Sequence, residues 1–115
     1  MLLLDNNQIK TIGLGAYALR MRKYLNDAFE DSKQVPAQKM EETIIKMTKQ
    51  AAIYNITLET DLAAFISAAW LLGLDFDTKF LTVNKTLQSD NLSGIEKAEF
   101  LWQFIEDSFE ILNEE

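Results

Sequence analysis

Three places along this 115-residue chain carry residue types that could do chemistry. The first is Gly13-Leu14-Gly15-Ala16-Tyr17-Ala18, which formally matches the dinucleotide fingerprint with alanine in the last place. That fingerprint works only between a strand and a helix, beside a parallel sheet, where the pyrophosphate meets a helix N-terminus. Gln8-Ile9-Lys10-Thr11-Ile12 makes a poor first strand, and no second strand follows. The glycines are therefore read as relieving close helix packing or marking a kink.

The second place is Asp75-Phe76-Asp77-Thr78, two carboxylates at a helix start that could hold a divalent cation together with Asp90. The further oxygen ligands and the glycine of a calcium loop are missing, and the helix dipole alone favours acids there. The third is Glu106-Asp107 with Glu110 on the last helix. Acid/base work needs one carboxyl buried and its neighbour exposed, and nothing in the flanking sequence separates them so. A solvated acidic face is expected instead. The chain contains no histidine to activate a serine, and no lysine stands at a spacing that would replace it. The expectation is no enzyme: no catalytic residue, no cofactor and no metal ligand.

The elements that would position these residues read as helices throughout. Leu14, Ala18, Met21, Leu25 and Ala28 recur at helical spacing within a first helix from Asp5 to about Phe29. Asp31 to Val35 breaks the pattern, and Pro36 suits the first turn of a second helix. That helix carries Met40, Ile44, Met47, Ala51 and Tyr54, with Asn55 as a left-handed stop and Ile56 folded back. Thr57 is expected to cap a third helix with the stripe Leu58, Leu62, Phe65, Ala69 and Leu72, ended by Gly73. Ile66 and Trp70 widen that stripe until little polar face remains, so this helix should be central.

A short fourth helix uses Phe76, Phe80, Val83 and Leu87. Ser93-Gly94-Ile95-Glu96 fits a capping box, from which a fifth helix runs to about Leu112. Its stripe is Ile95, Ala98, Leu101, Ile105, Phe109 and Leu112, while Phe100, Trp102, Phe104 and Ile111 point around it. The fold class is all-α: one domain over residues 1–115, a compact bundle of four to five helices with short loops.

Composition bounds the rest. With 48% apolar residues and no cysteine, a core forms without disulfides or thiolate metal sites. Met1-Leu2-Leu3-Leu4-Asp5 lacks the basic region of a signal peptide. The longest uncharged stretch, Leu62 to Leu74, falls short of the ~20 residues of a membrane span. A cytoplasmic chain with no membrane partner is expected.

Residues 1–50 hold eight Lys/Arg against six Asp/Glu, a net +2, whereas residues 51–115 hold three lysines against twelve acids, a net −9. Such an acidic half repels nucleic acid and attracts a basic protein.

The middle of the chain resembles a family. Ala51-Ala52-Ile53-Tyr54-Asn55-Ile56-Thr57, then Glu59, Asp61, Phe65 and Leu72-Gly73-Leu74-Asp75-Phe76-Asp77, is similar to a pattern in small helical bacterial proteins encoded beside type VI secretion genes. Leu87, Asp90, Leu92, Lys97 and Leu101 fit its spacing, so the likeness spans roughly residues 50–101. This chain has Asn55 where such relatives often have glycine. The resemblance implies a helical protein that binds a secreted effector, either neutralising it as an immunity protein or loading it as an adaptor.

An inhibitor of a basic, nucleic-acid-attacking toxin gains from an acidic surface. The expected contacts are Asp75, Asp77, Asp90, Glu106 and Glu110, with Trp102 as aromatic anchor. The alternative from another class is a homo-oligomeric module, a homodimer through the last helix.

Overall fold

The computed structural model describes the backbone of residues 14–113 and the side chains of residues 15–109. Six α-helices and one 3-10 turn appear among them, and no strand. Helix α1 (Leu14–Ala28) leads through the turn Glu30–Gln34 into α2 (Ala37–Ile53), and the two pack side by side. Pro36 stands at the N-cap of α2, where its missing N–H costs nothing, and its carbonyl accepts the Met40 amide at 2.9 Å.

Helix α2 ends as its sequence requires. Asn55 adopts φ 64°, and the amides of Asn55 and Ile56 turn back onto the carbonyls of Ala52 and Ala51. Ile56 is then fully buried.

Helix α3 (Glu59–Leu72) lies between α2 and α6. Seven of its fourteen residues are buried, Leu62, Ala64, Phe65, Ile66, Ser67, Ala68 and Ala69, which makes it the central element. Thr57 does not cap it. The N-cap position falls on Leu58, whose carbonyl accepts Asp61 and Leu62, while Glu59 and Asp61 complement the dipole of the first turn. Gly73 ends α3 at φ 111°, a conformation that side chains disfavour.

The expected fourth helix is two. Helix α4 (Phe76–Lys79) and α5 (Leu81–Leu87) are separated at Phe80, whose backbone is extended. The break sends two rings to different partners. Phe76 packs edge-on against Phe65 of α3 at 4.9 Å, and Phe80 meets Phe104 of the last helix at 5.5 Å.

Helix α6 (Gly94–Asn113) opens with the expected capping box. The Glu96 amide donates to Ser93 Oγ at 3.1 Å, and the Ser93 amide donates to Glu96 Oε1 at 3.0 Å.

The core runs from Tyr17, Met21 and Leu25 through α2 and α3 to Ala98, Leu101 and Ile105. Tyr17 sits in it with a satisfied hydroxyl. Thr48 spends its one proton on the Ile44 carbonyl at 2.8 Å, so the 2.6 Å bond between the two hydroxyls is donated by Tyr17. Burial pushes the Tyr17 hydroxyl above the usual phenol range.

Candidate functional site

The glycines of the fingerprint lead nowhere. Gly13 lies outside the described residues. Gly15 is exposed in the first turn of α1, and a Cβ there would meet nothing within 4 Å among the described residues, so it relieves no close packing there. Gly94 is the glycine that does, because a Cβ on it would run into the carbonyl of Asn55. The start of α6 thus rests directly on the end of α2.

That junction also gathers buried polar groups. Lys97 is buried, and its ammonium donates to the Tyr54 carbonyl at 2.9 Å, a cation at the negative end of α2. The Tyr54 hydroxyl donates to Asp77 Oδ2 at 2.7 Å, and Asn84 Nδ2 holds the Asp77 carbonyl at 2.9 Å. Burial first, and then Asp77, push the Tyr54 hydroxyl up to about 12. Asp77 Oδ1 is buried with no hydrogen-bond partner among the described residues.

Asp77 is therefore not a surface contact. It is 3% exposed because the short helix α4 turns it inward beneath Tyr54, and a partner cannot reach it. The sequence pattern of Asp75 and Asp77 gave no hint of this, since both precede the same turn. Asp75 and Asp90 are exposed, as a contact requires. Among the described residues no three potential ligands are gathered closely enough to hold a metal ion, Asp75, Asp77 and Asp90 included.

Tyr54, Asn55, Ile56, Asp77 and Lys97, which carry the resemblance, all meet at this buried junction. They build the fold.

The candidate surface is on α6, where large apolar side chains stay exposed. Trp102 is 41% exposed, and Glu99 and Glu106, three residues before it and four after, are exposed on its side of the helix. Glu110 continues the helix, but its side chain lies outside the described residues. Ile95 and Phe109 fall on one sequence stripe with Ala98, Leu101 and Ile105, a stripe that burial does not follow throughout. The two are 51% and 42% exposed, on the same side as Trp102. Only Ala98, Leu101 and Ile105 of that stripe are buried. Phe100 and Phe104 turn the other way, packed on each other and towards Phe80.

No family model, no curated protein and no solved structure matches this chain.

The exposed charges of α6 near Trp102 are the acids Glu99 and Glu106. Among the described residues the ion pairs are Arg20–Glu59, Arg22–Glu41 and Lys33–Glu30, none of them on α6. Gln103 holds Asp107 at 2.8 Å, while Glu99 and Glu106 have no basic partner there.

At the start of α6 a cleft opens between Leu58 and Asp61 of α3 and Ser93, Gly94 and Ile95. Asp61 stands in its wall with a carboxyl raised by burial and then by Glu99. The sequence could not reveal this pairing, because α3 and α6 meet only in the fold. Ile95 and Phe109 were findable, since each lies seven residues from Trp102.

No helix of the described residues is long and apolar enough to cross a membrane.

Proposed function

We propose that this chain is a cytoplasmic effector-binding protein, an immunity protein that neutralises a secreted bacterial toxin. The observation that carries the reading is the outward face of α6, where Ile95, Trp102 and Phe109 stand exposed beside Glu99 and Glu106. Large apolar side chains with an acidic border are the anatomy of a surface that meets a basic protein. Toxins that attack nucleic acid are basic where they bind phosphate, so an acidic cover over that site blocks it. The resemblance to proteins encoded beside type VI secretion genes supplies the setting.

The test joins capture to rescue. The tagged chain is recovered from its host's lysate, and the co-purifying protein is expressed alone and with it. A captured protein that is toxic alone and harmless beside this chain supports the immunity role. Capture without rescue moves the role to an adaptor that loads the effector. A chain that retains only copies of itself overturns both.

A further inference from the structure

The same face says what shape of partner it takes, an inference that rests on the binding role just proposed. Ile95, Trp102 and Phe109 are seven residues apart, and seven residues fall only about 20° short of two full turns. The three side chains therefore form one line about 21 Å long. Ala98, Leu101 and Ile105 form a second apolar line on α6, and this chain's own core uses it. The outer line is spare. Four residues beyond Ile95 and Trp102 stand Glu99 and Glu106, so two of the three exposed apolar groups have an acid one turn on. Apolar residues at a strict heptad interval with charges alongside are what one helix of a pair presents to the other.

We propose that the outer line of α6 receives an amphipathic helix of a partner protein. The partner helix lies along α6 with apolar residues at heptad spacing against Ile95, Trp102 and Phe109. Lysines or arginines flank them and meet Glu99 and Glu106. A second copy of this chain is the poorer occupant. Two α6 helices paired antiparallel through this line set Glu99 and Glu106 against the same carboxylates of the other copy, which costs stability. A basic helix meets no such repulsion. At the α6 N-terminus it also brings a cation towards Asp61, which lines the cleft beside Ile95 and whose carboxyl is raised by burial and then by Glu99.

The test uses the full chain with Trp70→Phe, which leaves Trp102 as its single tryptophan. The probe is a three-heptad peptide with leucine at the first and fourth positions and lysine at the flanking ones. A permuted peptide of the same composition with leucines at alternate positions, and a version with glutamate for lysine, are the controls. The expected result is a saturable one-to-one blue shift of Trp102 emission with the heptad peptide alone. Its Kd should rise on the order of tenfold or more in Glu99→Lys/Glu106→Lys, as losing a central charged contact does.

If the permuted peptide binds equally well, the helical partner is overturned and the basic-partner reading survives. No response to any peptide, with effector capture lost in Glu99→Lys/Glu106→Lys, likewise overturns the helical partner alone. No response and unchanged capture overturns both. Sedimentation as a dimer that Trp102→Ala dissociates overturns the proposal in favour of a second copy.

Discussion

The hydroxyl of Tyr54, at the end of α2, donates a 2.7 Å hydrogen bond to Oδ2 of Asp77, twenty-three residues later on α4. The other carboxylate oxygen is buried without a hydrogen-bond partner among the described residues, so this one bond is all that the carboxylate receives there. Tyr54→Phe leaves a buried carboxylate with neither oxygen satisfied, a loss of about 1–3 kcal/mol. The change is read as a lower urea midpoint at unchanged slope. An unshifted midpoint would show that the bond contributes nothing.

The same contact gives a pH dependence at the alkaline end. Tyr54 titrates near 12 in the fold, above the ~10 of a free phenol, because burial and Asp77 disfavour phenolate. Between those values the folded chain binds more protons than the unfolded one. Stability from this group is therefore complete below about pH 10 and is lost as pH climbs through 12. Tyrosinate absorbance followed beside circular dichroism checks it, and Tyr54→Phe should flatten the decline.

Two glycines should respond oppositely to alanine. Gly15→Ala fills open space on a helix and should stabilise by roughly 0.5–1 kcal/mol. Gly94→Ala drives a methyl group into the Asn55 carbonyl, which is backbone and cannot swing aside, so thermal denaturation should come earlier. Equal shifts in the two variants would contradict the close approach of α6 to α2.

Charge reversals separate surface from core. Asp75→Lys should fold normally, whereas Asp77→Lys should fail to fold, because it buries an ammonium where a tyrosine donates. Trp102→Ala should weaken partner capture strongly, by about 2 kcal/mol or more if it anchors the interface, with little change in melting temperature. Asp61→Asn should raise stability at pH 7. Its folded carboxyl titrates above the usual range, so the carboxylate form is penalised once pH exceeds that range, and the gain should vanish near pH 3. The same variant should bind the partner less well.

Local chemistry was the legible part of the fold. The capping box at Ser93 and Glu96, the stop at Asn55 and the burial of α3 each follow from a few neighbouring residues. Ser93→Ala should accordingly cost about 1 kcal/mol, measured by denaturant titration. The break at Phe80 was not legible, because Phe76, Phe80, Val83 and Leu87 fit one helical face, and only Phe104 on a distant helix draws Phe80 away. Asp77 was misplaced for the same reason, since its burial depends on Tyr54 across the chain. Of the candidate surface, Trp102 and the acids could be read directly. The division of α6 into an inner and an outer line required knowing which side α3 and α5 cover.

Asn55 and Gly94 touch across thirty-nine residues of chain, and everything from α3 to α5 is the loop that their contact closes. The entropic cost of closing such a loop is offset by the Lys97 hydrogen bond and the buried α6 core line. The face proposed for the partner is the back of that helix. On that reading a chain with α6 unseated has no assembled binding face, and recognition doubles as a check that α6 is docked.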